Sequence, residues 1–250
     1  MLRRVIEHIQ TQNWTGVALD FVIVVAGVFL GLQAQQWSEM RAEEERQKAY
    51  LLELRTEVLE NNVIIEARSI YTAQVVEAAA ETLAYLNSDG DCGDNCASVL
   101  VDAFHASQAW GSNISHLIAD EMRRQGLPKP PVLKRMVHRY YFHSEGLDST
   151  LDNAADYRSE IRRVTPIGLM RQLWQACFRL DENRIETIVE DCLLDIAAED
   201  AAVIARRYHE HPTLADDLRY WAAQNDLWIA GFRTQAKIGT DLVGMIDEEL

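Results

Sequence analysis

A run of 58 residues without glycine or proline, 32–89, is the feature that most constrains what this chain can fold into. Glycine and proline are the residues that helices tolerate least, so the run favours one long helix, which we expect to continue to about Leu86. The whole chain has only 12 Gly and 5 Pro in 250 residues, below average usage. The sequence therefore predicts an all-α protein rather than a β-sandwich or barrel.

The segment Gly16–Leu32 is apolar except for Asp20. Trp14 and Trp37 lie on either side of it and would be about 34 Å apart along a helix, close to the thickness of the hydrocarbon core. Paired tryptophans of this kind are typical of the aromatic belts at the two membrane interfaces. We predict a transmembrane helix at 14–37, with membrane lipid as its surroundings.

A cleaved signal peptide is the alternative interpretation of this segment. The apolar stretch is long for a signal peptide, and Leu32-Gln33-Ala34 is a poor cleavage site, so we expect the anchor to be retained. Basic residues occur on both sides of the span and leave its direction open. Four cysteines in two local pairs indicate an oxidising compartment. We therefore expect 1–13 to be cytoplasmic and the chain after Trp37 to be periplasmic or extracellular.

The run NWTGVALDFVIVVAGVFLGLQAQQW, from Asn13 to Trp37, resembles the opening segment of a family of bacterial single-pass membrane proteins. The resemblance covers this run closely and the helical remainder only loosely. It implies an inner-membrane protein with an extracytoplasmic helical region, and it carries no catalytic residue to this chain.

Small and polar residues share one face of the predicted span. Asp20, Gly27, Gly31 and Ala34 follow at spacings of 7, 4 and 3, and Gly27 with Gly31 forms a GxxxG motif. Small residues let membrane helices approach closely, and a polar group can bond across the contact. We predict a helix–helix contact here, with a second copy or another membrane chain. A chance arrangement is the alternative, because glycine is common in membrane helices.

The segment 38–86 is predicted to be a long juxtamembrane helix, with a possible break near Asn61. A heptad counted from Leu51 places one core position at Leu51, Val58, Ile65, Thr72 and Ala79, and the other at Leu54, Asn61, Arg68 and Val75. The second set is half polar, which speaks against a dedicated coiled coil. A wider apolar face, typical of a helix in a bundle, is predicted from Leu52, Leu59, Ile64, Ile70 and Val76.

After an Asp/Gly/Cys loop at 87–96, the region 97–250 is predicted to be a helical bundle without strands. Apolar spacing and breaker residues place helices near 97–109, 113–125, 132–145, 148–163, 167–179, 183–210 and 213–247. On the last helix, aromatic residues at helical spacing are interpreted as core: Tyr220, Trp221, Trp228 and Phe232.

Four cysteines allow three disulfide pairings. We predict the local one, Cys92–Cys96 and Cys177–Cys192, because the first pair closes a flexible loop and unpaired thiols are uncommon in an oxidising compartment. The second bond is geometrically difficult if it joins two consecutive helices, because the expected turn leaves an axial stagger of about 7.5 Å. It then requires a longer turn or a steep helix crossing.

Sequence motifs for catalysis are lacking. The histidines form no metal-binding spacing, and the chain has no P-loop, GxGxxG or GxSxG motif. The Asp-rich loop fails the EF-hand pattern. The sequence thus predicts no catalytic residue, no metal and no cofactor, although a composite active site leaves no local signature. The net charge of −15 speaks against binding to nucleic acid.

One segment runs against the acidic composition. Residues 122–144 contain six basic side chains and no acidic one: Arg123, Arg124, Lys129, Lys134, Arg135 and Arg139. Either the segment docks onto an anionic lipid surface or acidic partner, or it neutralises acidic helices of its own chain. The second is the more ordinary interpretation.

Three functions remain open from the sequence. The first is a membrane-anchored extracytoplasmic interaction module, such as an accessory or assembly subunit of an inner-membrane complex. The second is a ligand-sensing bundle that acts through a partner, and the third is an enzyme with a composite site. A large exposed apolar patch would favour the first, a small pocket between helices the second, and a large pocket with perturbed acids the third.

Overall fold

A computed structural model of the chain describes residues 14–110, 114–151, 156–182 and 185–250. The predicted cytoplasmic segment 1–13 lies outside these residues. The chain divides into two compact units, Met1–Tyr50 and Leu51–Leu250. The fold is all-α, as the low glycine and proline content predicts.

The first helix, α1, covers Trp14–Leu86 without interruption. A short 3₁₀ turn at Gly93–Asn95 follows the loop. The remaining helices are α2 Cys96–Ala106, α3 Leu117–Arg124, α4 Pro131–Leu151, α5 Asp156–Val164, α6 Ile167–Ala176, α7 Ala198–His209 and α8 Leu214–Glu249. Two short strands, β1 Phe178–Leu180 and β2 Glu186–Ile188, lie between α6 and α7.

Within the first unit, the side chains from Leu19 to Leu32 are all exposed. They include large apolar groups such as Phe21 and Phe29, which the other described residues leave 69% and 60% exposed. Among the described residues, α1 is the one helix long and apolar enough to cross a membrane, judged by length and composition.

Within the second unit, both predicted heptad positions of α1 are buried, including the polar members Asn61, Arg68 and Thr72. The predicted widening of this face is wrong for Leu52, Leu59 and Ile70, which are exposed. The bundle contacts α1 along a stripe of 3–4 spacing, and these three residues lie beyond the reach of that stripe.

The sequence leaves open a break near Asn61, and none occurs there, since α1 is continuous through this residue. The Asn61 amide does not compete for the backbone of its own helix, because it forms two bonds to Ser115: Nδ2 donates to the Ser115 carbonyl, and Oδ1 accepts from the Ser115 amide, both at 2.8 Å. Arg68 also binds residues outside α1, although its buried Nε has no hydrogen-bond partner among the described residues. Its Nη2 lies 2.5 Å from Asp148 Oδ1, and its guanidinium stacks 4.6 Å from the centroid of the Phe232 ring.

Helix α4 packs along α8, and α2 packs along α7. On α8, Trp221 and Phe232 are buried, and Trp221 Nε1 donates to the Ala106 carbonyl at 2.8 Å. Tyr220 was predicted to join this core but is exposed. It adjoins Trp221 in the chain and therefore projects from a different side of the helix.

The segment predicted as a helix from residue 183 instead contains an antiparallel hairpin. Phe178 pairs with Ile188, and the Val189 amide donates to the Cys177 carbonyl at 3.0 Å. The run Ile185–Val189 is rich in β-branched residues, which favour strands over helices. Ile188 of this run packs with Tyr71, Val75 and Trp110 in a buried cluster, which holds the hairpin against α1.

Both disulfides have the predicted local pairing. The Cα atoms are 4.9 Å apart for Cys92–Cys96 and 5.1 Å for Cys177–Cys192. The predicted difficulty of the second bond disappears because no helix hairpin separates its cysteines. Antiparallel strands bring the two ends of the segment together without the stagger expected for two helices.

Candidate functional site

A cavity of about 180 Å³ lies between α3 and α4. Its walls are mainly apolar, and charged and imidazole groups contribute the rest of its lining. The lining residues are His116, Ala119, Asp120, Met122, Arg123, Leu127, Pro128, Lys134, Val137, His138, Tyr141, Phe142 and Glu145. The cavity thus falls within the basic and aromatic segment that the sequence singles out.

Glu57 of α1 fixes the position of α3 beside this cavity. Its carboxylate is buried and accepts hydrogen bonds from the amides of Ile118, at 2.8 Å, and Ala119, at 3.3 Å. It also accepts from Ser115 Oγ at 2.8 Å. The first amides of a helix lack partners within the helix and favour negative charge. Glu57 therefore caps α3 from a distant part of the chain.

Tyr141 connects the same carboxylate to the cavity wall. Its hydroxyl donates to Glu57 Oε1 at 2.6 Å. Burial, and then this hydrogen bond, raise the pKa of Tyr141 well above its ordinary value, so the phenol remains a donor at physiological pH. The ring of His116 lies 4.7 Å from the ring of Tyr141, centroid to centroid. The rear wall of the cavity is thus held rigidly to α1.

The basic residues of this segment divide into two groups. Arg123 pairs with Asp120 at 2.8 Å, and Arg124 pairs with Glu121 at 2.6 Å, both within α3. These two arginines are thus neutralised within their own chain, by acids of their own helix and not by the long helix α1 or another acidic helix. By contrast, no ion pair within the described residues involves three cations of α4: Lys134, Arg135 and Arg139. Lys129 has interactions of its own and belongs to neither group.

Val132, Arg135, Arg139 and Phe142 follow one another at spacings of three and four residues, so they share one side of α4. We call these four residues the α4 face. All four are exposed, with 58% of Val132 and 66% of Phe142 accessible. Phe142 also lines the cavity, and its ring stacks on that of His138 at 5.7 Å between centroids. The cavity and the α4 face are therefore adjacent.

A second cavity, of about 170 Å³, has acidic walls formed by Glu77, Glu81, Asp102 and Glu190, with His105. Burial raises the pKa of Asp102 and lowers that of His105. Both cavities are small compared with typical ligand and active-site pockets. The enzyme alternative requires a large pocket that contains acids with shifted pKa values. The second cavity contains one such acid, Asp102, but it is not large.

Within the described residues, one side-chain group has the proximity that a metal ion requires: His105, Cys177 and Cys192. The two cysteines are joined to each other in a disulfide. Their sulfurs are therefore not the thiolates that bind metals. His105 Nε2 instead lies 3.3 Å from the Cys177 carbonyl oxygen.

The predicted membrane residues lie on the exposed part of α1. A Cβ added at Gly27 or Gly31 would meet none of the described residues within 4 Å apart from its own stretch of helix, and Asp20 and Ala34 are exposed. The side chain of Trp14 lies outside the described part of the molecule. At Trp37, the Arg41 guanidinium stacks 3.8 Å from the ring centroid. The contact predicted for Gly27 and Gly31 therefore requires a second chain.

Sequence reasoning missed Glu57. A carboxylate beside Val58, in a stripe with heptad spacing, is the one signal that could have suggested it, since a buried acid needs several donors. Those donors come from residues 58 to 84 positions later, and local patterns do not reveal such distant partners.

No protein-family model matches this chain, no curated protein matches it, and no solved structure matches it. The functional assignment therefore depends on the residues themselves, and the family resemblance of the Asn13–Trp37 segment stays an expectation.

Proposed function

We propose that this protein is a single-pass inner-membrane protein whose periplasmic helical bundle binds an acidic partner protein at the α4 face. In this role it is an accessory or assembly subunit of a larger membrane complex. Its work is recognition rather than catalysis.

The membrane part of the proposal is supported by α1 and by the disulfides. The exposed apolar side chains between Leu19 and Leu32 need a nonaqueous surrounding, which a bilayer supplies. Two disulfides and no free cysteine are typical of an oxidising compartment such as the periplasm. With one span, this combination favours a cytoplasmic N-terminus.

The α4 face is the observation that carries the binding role. In a chain with net charge −15, cations have many acidic groups available, and yet Arg135 and Arg139 lie beside exposed Val132 and Phe142 without an ion pair in the described structure. Aromatic and arginine side chains are enriched at protein interfaces. Positive charge next to exposed apolar groups complements an acidic, partly apolar segment of a partner.

The adjacent cavity favours a second candidate function, ligand sensing. A cavity of about 180 Å³ is near the size that holds one aromatic ring. Lys134 at its wall would attract a carboxylate on such a ligand. A small aromatic acid is thus the alternative occupant of this region.

A photocrosslinking amino acid at position 142, in full-length protein in native membranes, tests the proposal. We expect a crosslinked partner at Phe142, and none when the same group replaces exposed Tyr220 of α8. Reversing two charges, Arg135→Glu with Arg139→Glu, should abolish the adduct. The matched control, Arg171→Glu with Arg233→Glu, makes the same charge change at exposed arginines of α6 and α8 and should leave the adduct intact.

The outcomes separate the two functions. Crosslinking to no protein, together with saturable binding of an aromatic carboxylate that Lys134→Ala abolishes, would replace the partner proposal with the sensing one. Equal adducts at Phe142 and Tyr220 would mean random collision and would overturn the specific role of the α4 face.

A further inference from the structure

A second apolar stripe follows α1 on the side that the bundle leaves open. It consists of Leu52, Leu59, Val63 and Ile70, which are 55%, 41%, 57% and 65% exposed. Their spacings of 7, 4 and 7 residues match the 3.5-residue repeat of a coiled-coil seam. Exposed Thr56 occupies the seam position between Leu52 and Leu59. We call these five residues the outer seam.

The outer seam is distinct from the heptad positions that begin at Leu51 and Leu54. Those positions are buried by the helices of the same chain. Each outer-seam residue follows one of the buried positions by one or two places, which directs it away from the bundle. Four large apolar side chains on one exposed helix face form a surface that favours a partner helix.

Charges beside the outer seam select the kind of partner. In a parallel two-stranded coiled coil, a residue flanking the seam on one helix meets the residue five positions later on the other helix. Here Arg55 and Glu60 occupy these flanking positions, so each would meet its opposite charge on a second copy. Arg55 already binds Asp247 through Nε and Nη2, which leaves Nη1 for a further carboxylate. An antiparallel pairing would instead bring like charges together.

From this charge pattern and the outer seam, we infer that two copies of this chain associate in parallel through Leu52, Thr56, Leu59, Val63 and Ile70. The sequence repeats the same basic-to-acidic spacing one heptad earlier, at Lys48 and Glu53. The inference rests on the membrane anchor of the proposed function in one respect: anchoring gives both copies the same orientation.

The length of the seam explains why the anchor matters. From Leu52 to Ile70 the helix rises about 27 Å, with Glu66 interrupting the apolar series at a seam position. This is short for an independent coiled coil. Confinement to one membrane raises the effective concentration of the second copy, and a modest interface then suffices. The dimer is therefore expected in membranes and at high protein-to-detergent ratios.

Cysteine crosslinking of the full chain in native membranes tests the inference. Thr56→Cys and Val63→Cys, each introduced alone, should each give a disulfide-linked homodimer, with the 56–56′ or 63–63′ peptide identified by mass spectrometry. In an antiparallel pair, only one of the two positions can lie opposite the same position of the second copy. Thr234→Cys, an exposed threonine replaced on α8, is the matched control and should stay monomeric.

Two substitutions show whether the seam causes the crosslink. Leu59→Glu should abolish the 56–56′ product, and Leu227→Glu, at an exposed leucine of α8, should not. Glu60→Arg should weaken the product, and Arg55→Glu added to it should restore it, because the swap exchanges the two charges of each pair. Helical circular dichroism of each variant verifies that the bundle is still folded.

Absence of both homodimers in the membrane would overturn the inference, as would equal crosslinking at Thr234→Cys. A Thr56→Cys adduct with a different protein would assign the outer seam to another partner and would also overturn it. These readouts are independent of the crosslink at Phe142, so failure of one proposal leaves the other standing.

Discussion

Buried polar residues of α1 organise the packing around it at the residue scale. Glu57, Asn61 and Arg68 lie on the buried side of the helix, where an unpaired polar group is costly. Each binds a segment far away in sequence, so each specifies which part of the chain packs against α1 at that point. In the sequence, polar residues at heptad positions argue against a coiled coil. In the fold, these residues make contacts that define the bundle.

Glu57→Gln should lower the free energy of unfolding by about 2–3 kcal/mol, because hydrogen bonds to a charged acceptor are lost and the new amide NH2 faces two of the four groups that donate to Glu57. Urea unfolding of the detergent-solubilised protein, followed by circular dichroism, measures the change. Glu66→Gln is the matched control at an exposed position of the same helix and should have little effect. A loss as small as that of the control would show that Glu57 does not hold α3.

Helix α1 serves two roles at the scale of the element. One stripe of 3–4 spacing is buried by its own chain, and the outer seam, with the same repeat, stays exposed. Together the two stripes account for the apolar residues that extend around much of its circumference. The β1–β2 hairpin is the other informative element. It forms where the sequence predicts a long helix, and its disulfide and the buried Ile188 hold it in place.

The hairpin disulfide should stabilise the protein more than the loop disulfide. The loops closed by Cys177–Cys192 and Cys92–Cys96 have sequence separations of 15 and 4. Loop-closure entropy predicts losses of about 3 and about 2 kcal/mol when each pair is replaced by alanine. Chemical unfolding of the two double variants measures the order, and a larger loss for Cys92→Ala with Cys96→Ala would contradict the expectation.

At the scale of the whole molecule, the chain combines an exposed apolar helical segment with an acidic, disulfide-bonded bundle. The first unit exposes the apolar run from Leu19 to Leu32, whereas the second buries the α1 stripe that begins at Leu51 and Leu54 and leaves the outer seam exposed. An exposed apolar run fits the membrane anchor that we propose, since lipid removes the need to bury apolar side chains inside protein.

A reporter enzyme that is active only in the periplasm, fused after Leu250, should be active. The full chain should also remain in the membrane after alkaline carbonate extraction. Val24→Arg with Val25→Arg, which opposes insertion by about 6 kcal/mol on biological scales, should release the protein from the membrane. A cytoplasmic reporter signal from the unmodified chain would refute the proposed topology.

The sequence by itself determined what local patterns encode. The 58-residue run without glycine or proline specified α1, the segment Gly16–Leu32 specified where an apolar surrounding is needed, and short separations specified both disulfides. Helix propensity, hydrophobic length and loop closure depend on neighbouring residues, so they can be evaluated without knowing the rest of the fold.

Only the tertiary structure decided which apolar residues of α1 face the bundle, because Leu51 and Leu52 are equivalent by hydrophobicity alone. It also decided that Glu186–Ile188 forms a strand and that Glu57 caps α3, where the partners lie far along the chain. The exposure of the α4 face was likewise decided by the tertiary structure alone. Whether Arg135 meets an acid depends on which helix the fold places beside it, and contacts over such distances leave no trace in local spacing.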